Sequence, residues 1–116
     1  MALINPGGGA IRTPEVYPYS PELRANALLR FIKCSLTGDV TILEPTNPVD
    51  GISVAMRLTS VGGDRNVSFD SSIVTSFAGN NFHGPVLIEA GTTLLIELAF
   101  DNDRGLWYVG NLLAQY

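Results

Sequence analysis

The chain holds one histidine, one cysteine and one tryptophan, and charged side chains make up only 16% of it. Each shortage excludes a class of chemistry. With His83 and Cys34 standing alone, no zinc site of nitrogen and sulfur ligands can be assembled within one chain. A cupin-type cluster of metal-binding histidines is excluded with it. A single cysteine allows no intrachain disulfide, so no secreted disulfide scaffold is implied. Its setting, Phe31-Ile32-Lys33-Cys34-Ser35, reads as a strand carrying a small buried hydrophobe. No apolar run approaches the ~20 residues of a membrane span. The first residues lack the basic and apolar regions of a secretory signal, so synthesis in a cytoplasm is expected. A net charge of −4 argues against a protein whose task is neutralising phosphates, and no nucleic-acid or membrane partner is expected.

Reactive constellations are missing too. No serine sits in a nucleophile-elbow context, and His83 reads as a loop histidine with a surface role. Glu89 and Glu97 flank a turn in β-structure, a commonplace arrangement rather than a glycosidase pair. Asp101-Asn102-Asp103-Arg104-Gly105 looks superficially like a calcium loop, but its glycine comes one position early and Leu112 stands where a bidentate glutamate is needed. A polar hairpin turn explains it better. Gly7-Gly8-Gly9 and Gly62-Gly63 lack the Lys-Ser/Thr of a phosphate loop, and the Asn66-Val67-Ser68 acceptor pattern carries little weight without a secretory signal. No enzymatic activity, metal or cofactor is expected.

What is present is a change of order along the chain. Residues 1–25 carry Asn5-Pro6-Gly7-Gly8-Gly9, Thr13-Pro14, Tyr17-Pro18 and Ser20-Pro21. Each proline removes a backbone donor and pushes its predecessor toward extended geometry. The segment is nonetheless apolar, through Leu3, Ile4, Ile11, Val16, Tyr17, Tyr19 and Leu23. We read residues 1–25 as an extended N-terminal arm and residues 26–116 as the body, about 90 residues with one modest core. Through Lys33 four basic residues (Arg12, Arg24, Arg30, Lys33) meet two acids; beyond it three arginines meet nine acids. The front of one copy can therefore lie on the acidic body of another, although ordinary solvated charge scatter describes the same counts.

The body is punctuated into short strands. Residues 26–34 are apolar with β-branched and aromatic content, and residues 40–44 follow after Gly38-Asp39. Pro45, Pro48 and Asp50-Gly51 mark a loop. Ile52, Val54, Met56 and Leu58 alternate with Ser53, Ala55, Arg57 and Thr59, a clean period of two. Val67 and Phe69 share a face in the next segment. Between residues 71 and 85 only Ile73, Val74 and Phe77 suggest a strand, and residues 86–89 suggest another. Leu94, Ile96, Leu98 and Phe100 then line one face of the clearest element, before a hairpin and a last strand over 106–115. Adjacent strand residues face opposite ways, so of Trp107 and Tyr108 at most one ring is exposed, and Trp107 is expected in the core. A helix over 21–29, capped by Ser20, is the weaker alternative to extended chain there. The expectation is an all-β protein: an antiparallel β-sandwich or jelly roll of seven or eight short strands.

An extended aliphatic strand over 92–101, a short polar turn, and the closing Asp103-Arg104-Gly105-Leu106-Trp107-Tyr108 resemble the small β-sandwich or jelly-roll modules of tailed-phage virions. The arm makes the likeness strongest to capsid decoration (cement) proteins. The resemblance implies a structural protein on the capsid surface of the virion, assembled as a homo-oligomer, first choice a trimer, and bound to the major capsid protein. Ile4, Ile11, Arg12, Val16, Tyr17 and Tyr19 would make those contacts. The competing class is a phage fibre or carbohydrate-binding module, with Phe77, Asn80, Asn81, Phe82 and His83 as its ligand loop.

Overall fold

The structure is a computed structural model that describes residues 13–77, 80–81 and 85–113. It is nearly all β, with two mixed sheets and no α-helix among the described residues. None of its helical turns is long and apolar enough to cross a membrane.

The path of the chain explains why the sheets are mixed. β1 (Glu15–Tyr17) lies in a five-stranded sheet A, and β2 (Glu22–Leu23) in a four-stranded sheet B. The chain then returns to sheet A as β3 (Phe31–Leu36), crosses to sheet B as β4 (Val40–Ile42), and repeats the excursion as β5 (Ser53–Ser60) and β6 (Arg65–Phe69). Three successive turns of a coil thus each give one strand to each sheet. Strands laid down this way point the same way, so β1, β3 and β5 pair in parallel, as do β2, β4 and β6. A small hairpin follows, β7 (Ser76–Phe77) with β8 (Asn80–Asn81). β9 (Val86–Ile88) then pairs antiparallel with β6, and β10 (Thr93–Asp101) runs antiparallel to β5 and to β11 (Leu106–Leu113). Eleven strands, several of two or three residues, occur among the described residues in place of the seven or eight expected, and the antiparallel expectation holds there only for the second half of the chain. Alternation reveals which face a residue takes but not which strand lies beside it.

The period-two segments do what their pattern dictates. Val54, Met56 and Leu58 of β5 and Leu94, Ile96 and Leu98 of β10 are buried in register, Leu58 beside Leu94 and Met56 beside Ile96. Ile32, Cys34 and Leu36 of β3 extend that face. Val40, Ile42, Val67, Phe69 and Ile88 of sheet B belong to the same buried cluster. Trp107 is buried and meets the Phe100 ring at 5.2 Å and 50°.

Two segments depart from the sequence reading. The strand expected from residue 26 begins only at Phe31, because Asn26 caps a 3₁₀ turn over Ala27–Leu29: its Oδ1 accepts from Leu28 N at 3.1 Å. Arg30, at φ 70°, then turns the chain into β3. Residues 13–25 are extended, yet they lie in the sheets rather than projecting from them. Thr41 N, Leu43 N and Thr46 N donate to Pro21, Leu23 and Ala25 carbonyls at 2.8–2.9 Å. Leu23 and Ala25 are core residues. Proline spares the carbonyl while removing the N–H, so a proline-broken segment still serves as an accepting edge.

Candidate functional site

The first turn of the coil is where the candidate contact residues fall. Among the described residues β1 ends sheet A and β2 ends sheet B, so both sheets reach a terminal strand there. Val16 lies beside Lys33 in the β1–β3 register and is 70% exposed, the most exposed large apolar side chain among the described residues. Tyr17 and Tyr19 behave differently. Both rings pack against the core. Tyr17 Oη accepts from Asn26 N at 2.9 Å, and Tyr19 Oη donates to the Asp39 carbonyl at 2.6 Å. Their polar tips are thus engaged within the chain, which makes them anchors of this segment. Ile4, Ile11 and Arg12 lie outside the described residues.

Corners of the coil are laced by side chains. Asn47 Nδ2 donates to Asn26 Oδ1 at 2.9 Å, stacking one corner on the next, and Ala27 N donates to the Thr46 carbonyl. Gly38 leaves room for the Tyr19 ring: a Cβ there would come within 2.9 Å of Tyr19 Cζ and nearer still to Oη.

The alternative ligand loop is only partly described. Phe77 and Asn80 are opposite each other in the β7–β8 hairpin, as are Ser76 and Asn81, while Phe82 and His83 lie outside the described residues. A cleft of about 420 Å³ on sheet B is bounded by Pro21 and Pro85 and floored by Asp39, Thr41, Asn66 and Ser68. Asp39 Oδ1 already accepts from Asn66 N at 2.9 Å.

The remaining candidates separate. Glu89 follows β9 of sheet B and Glu97 stands exposed on β10 of sheet A, so the two carboxylates belong to different sheets. Asp101 closes the last hairpin, its carbonyl accepting from Gly105 N at 2.8 Å and its Oδ1 from Asp103 N at 3.0 Å. Among the described residues no group of three or more His, Cys, Asp or Glu side chains is placed to hold a metal. Cys34 is buried, and burial pushes its thiol pKa up, away from nucleophilic thiolate.

A second cleft went unnoticed in the sequence. About 270 Å³ in volume, it opens on the outer face of sheet A and is lined by Val16, Lys33, Cys34, Ser35, Arg57 and Thr59. Lys33 and Arg57 are far apart in the chain and become neighbours only through parallel pairing of β3 with β5. No local pattern announces such a pair. No protein-family model and no curated protein matches the chain.

Proposed function

We propose that this protein is a non-enzymatic structural component of a tailed-phage virion, a capsid decoration (cement) protein. It binds the phage head and its own copies through residues 1–12 and the sheet edge that follows them. The observation that carries this reading is the terminal position of β1 in sheet A and of β2 in sheet B among the described strands. Backbone groups on an edge strand are competent to pair with another chain. Val16 adds an exposed apolar side chain at that edge, and Ile4, Ile11 and Arg12 precede it in sequence. Pro14, Pro18 and Pro21 keep these edge strands short, which limits indiscriminate pairing.

In this reading the two sheets form a β-sandwich whose one half is coiled. The partners are the major capsid protein and other copies of the chain, as a homotrimer on the capsid surface. Repetition over a shell multiplies modest contacts. Light scattering of the purified full chain, followed by co-sedimentation with undecorated phage heads, tests it. A stable oligomer that sediments with heads, and loses that affinity when residues 1–12 are removed, is the expected outcome. A monomer with no affinity for heads would contradict it.

One observation favours a second reading, a fibre or carbohydrate-binding module. The sheet B cleft offers carboxylate, amide and hydroxyl groups of the kind a sugar needs, and its Pro85 follows Phe77 and His83 closely in sequence. Its described lining lacks an aromatic platform. Saturable glycan binding abolished by changing Asn66 would favour this reading.

A further inference from the structure

Parallel pairing sets Lys33 directly beside Arg57, with Val16 on the other side of Lys33. Like charges on neighbouring strands repel. Yet among the described residues no acidic side chain lines the cleft they share, in a chain whose net charge is −4. The Arg57 guanidinium carbon stands over the Phe31 ring, 5.1 Å from its centroid, a cation–π contact. Arg57 Nε is buried with no hydrogen-bond partner, the only such side-chain nitrogen or oxygen among the described residues. A buried donor without an acceptor is costly and calls for an explanation.

We propose that the Lys33–Arg57 cleft is a carboxylate-binding site. A guanidinium carries its Nε–H and one terminal N–H as parallel donors along one edge, a geometry that matches the two oxygens of a carboxylate. Lys33 supplies a second positive charge on the same side. Ser35, one row along the same face, contributes a hydroxyl, whereas Thr59 Oγ1 is engaged with Thr93 Oγ1 at 2.9 Å. Val16 forms an apolar wall beside the cations, suited to the aliphatic stem of an acidic side chain. The ligand chemistry is a carboxylate, carried either by a small organic acid or by an Asp or Glu of a neighbouring protein. The site needs no particular biological role for the protein and goes beyond the function proposed above.

Lys33 is the only lysine of the chain, so its ammonium resonance and the Arg57 Nε–H resonance report on the site directly. The experiment titrates the full chain with sodium acetate, with N-acetylglutamate amide and with sodium phosphate, each against sodium chloride at equal ionic strength. Saturable shifts of both resonances with acetate and with the glutamate derivative are expected. Lys33→Ala, at an exposed position, should weaken binding about tenfold, and Arg57→Lys, which keeps the charge but loses the fork, at least as much. A protein dilution series separates the sources. Shifts that follow protein concentration and are reversed by acetate identify an acidic side chain of another copy; shifts independent of concentration identify a free carboxylate. Chloride reproducing the acetate shifts would overturn the proposal. So would phosphate saturating the site where acetate does not, or unchanged acetate binding in both variants.

Discussion

The two ends of sheet A are finished differently. At the β11 end, residue Val74 pairs along the outer edge: its N–H donates to the Trp107 carbonyl at 2.8 Å and its carbonyl accepts from Val109 N at 2.9 Å. At the β1 end no described strand lies beyond the three residues of β1. The covered end is antiparallel and built from chain neighbours joined by a tight turn. The open end is parallel and built from successive turns of a coil. A coil adds strands in one direction, so its first described turn leaves an edge on each sheet among the described strands. Something must cover that edge, shorten it or use it.

The largest effect expected from this contrast is on truncation. A chain starting at Asn26 loses β1, β2, Leu23 and Ala25, and with them the acceptors for Thr41, Leu43 and Thr46. Emptying the Leu23 site alone is worth about 2–5 kcal/mol, against a total of about 5–15 kcal/mol for a small domain. Such a chain should lose its cooperative thermal transition by circular dichroism, whereas one starting at Thr13 should keep it. A sharp, native-like melt of the shorter form would show that residues 13–25 are an accessory arm.

Smaller changes sharpen the comparison between the ends. Gly38→Ala forces a methyl group against the Tyr19 ring and should cost about 1–3 kcal/mol. Gly105→Ala in the antiparallel hairpin meets no atom but must hold φ near 67°, and should cost about 1 kcal/mol. A negligible loss for Gly38→Ala, measured by urea denaturation, would mean that the Tyr19 anchor does not hold. Tyr17→Phe leaves Asn26 N without its acceptor and should cost about 0.5–1.5 kcal/mol. The smallest effect concerns Cys34. Buried and shifted away from thiolate, it should resist alkylation by iodoacetamide at pH 8 until the protein is unfolded.

The antiparallel half was legible because its signals are local. The alternation of Leu94, Ile96 and Leu98, the polar turn over residues 101–105 and the burial of Trp107 each follow from residues within a few positions. The coil was not legible, because Glu15 pairs with Ile32 and Phe31 with Ala55, contacts that no periodicity records. Prolines suggested an arm for the same reason. They exclude a helix or central strand, and the remaining choice between free chain and edge strand depends on where Leu23 and Ala25 find a core. The strand over 26–34 was shortened by an unforeseen cap: Asn26 fixes a 3₁₀ turn before Phe31. Of the candidate contact residues, Val16 stands exposed as its place on an edge suggests, whereas the tyrosine hydroxyls found partners twenty or fewer positions away. The Lys33–Arg57 pair needed the parallel register before it could be seen at all.

Native-state hydrogen exchange on the full chain tests the central claim most directly, that residues 13–25 are the first turn of the coil. The amides of Thr41, Leu43 and Thr46 point at the Pro21, Leu23 and Ala25 carbonyls. If those residues are held in the sheets, the three amides exchange slowly, with protection comparable to Phe100, whose N–H donates to the Ile52 carbonyl in the antiparallel half. Exchange of all three at unprotected rates, while Phe100 stays protected, would contradict it and restore a free arm on a smaller body.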